Sequence, residues 1–131
     1  MGIYHDATEI ITGDMPTPIK YFNKEIQGAF KDVENVAAEK LLSMLPEDMR
    51  KSYEGLFFPA EEDKYLWKIV KAADKLSALI KCIEERKAGN TEFHRAENSI
   101  YDTLRNMQMK EVEIFMEEFL PAYHKTLDEL S

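Results

Sequence analysis

The sequence predicts an all-α protein. Apolar residues recur in steps of three and four, and no run alternates convincingly with period two. Glycine and proline number only five each in 131 residues. Hydrophobic residues make up 44% and charged residues 32%, enough for a buried core under a charged surface. The length suits a single domain, residues 1–131, of about six helices.

The first helix is expected over residues 3–12, where Tyr4, Ala7 and Ile11 keep helical spacing and Gly13 stops it. Pro16 and Pro18 are expected to hold the following residues in an extended turn, because a residue before proline avoids the helical region. A second helix begins near Lys20 or Asn23 and runs to Leu45, with Phe30, Val33, Ala37, Leu41 and Met44 as its buried stripe. Pro46 ends it and opens a third, "PEDMRKSYEGLF", with acids in its first turn. "FFPA" at 57–60 is a short loop. The fourth helix covers about 61–87, with Leu66, Ile69, Ala73, Leu76, Ile80 and Ile83 on one face. "AGN" closes it, and Thr91 is placed as the cap of a fifth helix reaching about Asn106. The sixth, near 109–128, carries Val112, Phe115, Met116, Phe119, Tyr123 and Leu127, and Pro121 should kink or interrupt it.

Net charge is −8, which disfavours a broad DNA- or RNA-binding face but leaves room for a small phosphate ester held at a metal. Cys82 is the single cysteine, so no intrachain disulfide forms, and it reads as a small core residue. No stretch is apolar enough to span a membrane and the first residues are not a signal peptide, so the default location is the cytoplasm.

Four acids and a histidine stand out. His5 and Asp6 are adjacent, so on a helix their side chains diverge by about 100°. They can still share an ion at the helix edge, and imidazole with carboxylate suits manganese, cobalt, iron or zinc. Glu9 follows by three and four residues, where a carboxylate can take or give a proton beside a metal; the alternative is a solvated acid. Asp74 interrupts the apolar run "IVKAADKLSALI" and needs a partner: a metal would serve, and so would Lys71 or Lys75. The turn "GDMPTP" offers Asp14 and Thr17 to a substrate hydroxyl or phosphate, or serves only to end a helix. His94 and His124 lack a carboxylate constellation and read as surface residues.

Three blocks together, "YHDATEIITGDMPTPIKYFN", "KAADKLSALIKCIEE" followed by "AGN", and "FLPAYHKTLDEL", resemble the HD-domain phosphohydrolases of the bacterial 5'-deoxynucleotidase type. The resemblance implies an HD-domain helical bundle that removes phosphate from (deoxy)ribonucleoside 5'-monophosphates, typically with cobalt or manganese. Iron, zinc and magnesium are the other metals considered. It implies a metal held by His5, Asp6 and Asp74, a catalytic Glu9, and substrate contacts from Asp6, Asp14, Met15, Pro16, Thr17 and Asp74. It further implies a cytoplasmic homodimer.

The family places another metal-binding His, and before it an Arg-Trp pair that reads the substrate, ahead of the HD pair. Only four residues precede His5 here. The expectation is therefore an N-terminally truncated domain, which would associate with a second copy or with the missing segment. Two alternatives stay open: a different nucleotide substrate, and a non-catalytic helical interaction module that keeps the metal ligands.

Overall fold

The computed structural model describes residues 1–20, 22–126 and 128–130, without the side chains of Thr17, Pro18 and Leu130. Leu127, placed above in the last apolar stripe, lies outside the described residues. No strand occurs among the described residues, as the periodicity predicts. The chain forms two compact units, Met1–Trp67 and Lys68–Ser131.

The first unit opens with a 3-10 turn, Gly2–Tyr4, followed by α1 (Glu9–Thr12), α2 (Thr17–Lys20), α3 (Lys24–Ser43) and α4 (Glu47–Phe57). The expected helix over 3–12 is thus mostly turns. Ala7 and Glu9 donate to carbonyls only three residues back, and α-helical bonding begins at Glu9. The extended turn is also shorter than expected. Residues 13–16 form no regular element, but Thr17 already starts α2, because a proline in the first helical turn sacrifices no hydrogen bond.

Asn23 fixes the start of α3 as an N-cap, its Oδ1 accepting the Ile26 N–H at 2.8 Å. The other end of α3 is held by Arg50 of α4, which donates to the Leu45 and Ser43 carbonyls at 2.9 and 3.0 Å. Phe30, Ala37 and Ala38 are buried. Val33 and Met44, expected in that stripe, are 51% and 65% exposed, since the buried face turns through Ala38 instead. α3 is the hub of this unit, packing with α1, α2 and α4. Tyr4 sets its ring edge-on against Tyr53 of α4, centroids 5.9 Å apart, and so anchors the turn that precedes His5.

The second unit is built on α5 (Lys64–Lys87), which begins in the last residues of the first, and on α6 (His94–Asn106), α7 (Lys110–Ile114) and α8 (Leu120–His124). Its core is Ala72, Leu79, Ile83, Leu104, Met109, Val112 and Leu120. Ile69, Leu76 and Ile80 of the expected stripe pack against this cluster, whereas Ala73 and Leu66 are exposed and Ala72 and Leu79 take the central positions. The stop at "AGN" is as expected. Gly89 adopts φ +87°, its N–H reaches the Arg86 carbonyl, and the Asn90 N–H reaches the Glu85 carbonyl at 2.9 Å. Thr91 is not the cap of α6; the chain turns through Thr91–Phe93 and no side chain caps the helix.

Between α7 and α8 lies a π turn, Phe115–Phe119, closed by the Leu120 N–H on the Phe115 carbonyl. Pro121 follows directly, and its missing N–H cannot continue an α ladder, which is the interruption expected there. The extra residue in the turn rotates the register. Leu120 is buried, while Phe119 and Tyr123 are 54% and 38% exposed.

Leu79 and Ile83 are each 1% exposed and hold the centre of this unit. Leu79→Ala should cost about 2–5 kcal/mol of unfolding free energy. A urea titration reads this as a lower midpoint at unchanged slope. A loss under about 1 kcal/mol would show that the site collapses and is not the packed centre.

Candidate functional site

A 3-10 turn and one imidazole build the first half of the site. The Gly2 carbonyl accepts the His5 N–H, and His5 Nδ1 lies 2.7 Å from the same oxygen. A carbonyl oxygen can only accept, so Nδ1 carries the proton and donates it. In the neutral ring Nε2 then presents its lone pair. That nitrogen stands 3.0 Å from Asp6 Oδ2. The two side chains converge rather than diverging as on a regular helix, because His5 and Asp6 sit in turns between the 3-10 segment and α1.

Two lone-pair atoms so close need a cation between them, either a second ring proton or a metal ion. Donors each about 2.1 Å from one ion at about 90° stand about 3.0 Å apart. The His5–Asp6 pair therefore fits a divalent ion, and the Gly2 carbonyl would fix the tautomer of His5 were it to ligate one. Sequence reasoning missed Gly2, since a main-chain carbonyl leaves no signal in residue type.

Glu9, the first residue of α1, is half-buried. Burial pushes its carboxyl pKa above the ordinary 4.5, and the neighbouring charges of Asp6, Asp14 and Glu34 push the same way, with Lys20 opposing them. Lys20 itself is held by Glu34 at 2.7 Å and lies over the Phe30 ring. Asp14 is exposed in the turn after α1, next to Met15, which is half-buried, and Pro16, whose carbonyl accepts from Ile19 and Lys20 to start α2. Gly13 makes that turn with φ 70° and ψ 165°, a region reserved for glycine. Thr17 begins α2; its side chain lies outside the described residues.

Asp74 belongs to α5 in the second unit and is exposed. At about 100° per residue it lies about 180° around the helix from Ile83, on the face opposite the core. Lys71 and Lys75, offered above as partners for it, form no ion pair among the described residues.

The remaining candidates fall where expected. His94 is exposed, His124 is exposed with Nδ1 3.1 Å from Arg86 Nη2, and Cys82 is buried, its thiol pKa raised by burial and by Glu97 and Glu85.

Residues 1–123 match the family described as 5'-deoxynucleotidase YfbR-like. The chain belongs to that family. Among its relatives, a 5'-deoxynucleotidase of Shewanella oneidensis is 43% identical over 131 residues, covering 100% of this chain and 67% of the relative. A 5'-deoxynucleotidase of Erwinia tasmaniensis is 44% identical over 131 residues, covering 100% of this chain and 66% of the relative. The 5'-deoxynucleotidase YfbR of Escherichia coli is 43% identical over 134 residues, again with 100% and 66% covered. This YfbR-like chain thus spans about two thirds of the length of the relatives it matches. No described helix is long and apolar enough to cross a membrane.

Proposed function

We propose that this chain carries the metal and proton-transfer centre of a phosphomonoesterase that converts (deoxy)ribonucleoside 5'-monophosphates to nucleoside and phosphate. The observation that carries the reading is the His5 Nε2–Asp6 Oδ2 pair at 3.0 Å, with Glu9 one turn on and its proton affinity raised. The 5'-deoxynucleotidase relatives supply the substrate class.

His5, Asp6 and Asp74 would hold the ion; imidazole with carboxylates suits manganese, cobalt, iron or zinc, and the family resemblance points to cobalt or manganese among them. When bound, the ion supplies Lewis acidity that activates water and polarises the phosphoryl group. Gly2 keeps His5 in the ligating tautomer. Glu9 holds a proton more tightly than an ordinary carboxylate and passes it to the leaving 5'-oxygen. Asp14 accepts a hydrogen bond from a sugar hydroxyl, and Met15, Pro16 and Thr17 line the same turn.

Side chains such as Ile10 and Phe22, 80% and 76% exposed, support a homodimer, and the reading places it in the cytoplasm. Phosphate release from dAMP with added cobalt or manganese tests the function, alongside mass in solution. The expected result is release that stops on chelation, from a species of twice the chain mass. Bound metal with no release from any nucleoside monophosphate would favour the interaction module instead.

A further inference from the structure

Two adjacent cations in the last turn of α5 grip the end of α8. Lys87 donates to the main-chain carbonyl of Tyr123, at 3.1 Å, and to that of Lys125. Carbonyls at a helix C-terminus lack α-helical partners, and cations favour that end. Arg86 places its Nη2 3.1 Å from His124 Nδ1. Its Nε donates to both carboxylate oxygens of Glu97 in α6, at 3.3 and 3.1 Å, which orients the guanidinium. A guanidinium nitrogen can only donate, so the contact with His124 requires an unprotonated Nδ1. His5, whose Nδ1 donates to the Gly2 carbonyl, is in the opposite state.

Protonation of His124 would set N–H against N–H and one cation against another at the same 3.1 Å. The two α5 charges at this contact, Arg86 and Lys87, are both positive. Glu97, the α6 acid, is already bound by Arg86. The π turn that packs on α8 carries Glu117 and Glu118, both exposed. Beyond His124 stand Lys125, Asp128 and Glu129, and Glu129 Oε2 accepts from the Thr126 N–H and hydroxyl. We propose that the Arg86–His124 contact is a proton-operated clasp, holding the end of α8 to α5 while His124 is neutral and releasing it when His124 takes a proton. An imidazole ordinarily makes that change between about pH 5 and 8, where ordinary carboxylates and lysines keep their charge. The release is local: Leu120 of α8 is buried in the core, and the part that lets go is Tyr123–Lys125.

Amide hydrogen exchange on the intact chain at about pH 5 and about pH 8, corrected for the intrinsic rate at each, tests this. Protection over Tyr123–Lys125 should be about fivefold lower at the acidic pH, the worth of one modest hydrogen bond. Amides of Leu79 and Ile83, at the centre of the core, should keep theirs. His124→Gln cannot take a proton and Arg86→Met removes the facing cation, so each should abolish the dependence on pH. Equal protection of the wild type at both pH values overturns the proposal. A fall that persists in either variant overturns it too, since another group is then responsible. So does a fall that spreads equally to Leu79 and Ile83, which describes loosening of the whole unit.

Discussion

Glu9→Gln should lower phosphate release from dAMP by about 10²–10⁴-fold, the range for loss of a positioned proton donor. Cobalt content should stay near that of the wild type, because the amide keeps the shape of the side chain and is not a ligand. Metal lost together with activity would make Glu9 a ligand instead, and unchanged turnover would remove it from the chemistry. The same substitution should slightly stabilise the fold at neutral pH. Glu9 has its carboxyl pKa raised by burial and by Asp6 and Asp14, so its favourable contribution is complete only below the unfolded value. It is lost as pH rises through the folded value, where the ionised group faces its acidic neighbours. The stability gain of Glu9→Gln should therefore be seen at pH 7 and vanish below about 4.5. Thermal melts at the two pH values read this directly.

Asp74→Asn should abolish tight cobalt binding and, with it, metal-dependent release of phosphate. The change should leave the packed core intact, because Asp74 is exposed and lies on α5 opposite Leu79 and Ile83. Circular dichroism and the urea midpoint should match the wild type, which separates loss of a ligand from loss of structure. An asparagine variant that binds cobalt as tightly as the wild type would strike Asp74 from the ligand set. Removing one of three proposed ligands should cost far more than disturbing an outer group, where about 10–100-fold is usual.

The residues of the site were easier to read from the sequence than their arrangement. Glycine and proline marked the ends of α3, α4 and α5 well, since their backbone limits act locally. The apolar stripes were read less well. In α3 the periodic pattern admits Val33 and Met44, but Ala38 closes the buried face and leaves both exposed. Near the C-terminus the π turn adds a residue to one turn, so Leu120 replaces Phe119 in the core; no residue type announces that turn in advance. For the site, His5, Asp6, Glu9 and Asp74 were all visible as types. The convergence of His5 on Asp6 was not, because a regular helix would have set them about 100° apart and the chain departs from one there.

Gly13 separates α1, with Glu9 at its head, from the turn bearing Asp14 and Met15. A Cβ built on it would meet nothing within 4 Å, so room is not what restricts this position. The restriction is handedness. At φ 70° and ψ 165° an L-residue collides with its own backbone, at a cost of about 1–3 kcal/mol, whereas the mirror-image residue does not. A synthetic chain with D-alanine at 13 would keep the turn. The genetic code offers no such residue, so at this one place the achiral amino acid is the sole unstrained choice.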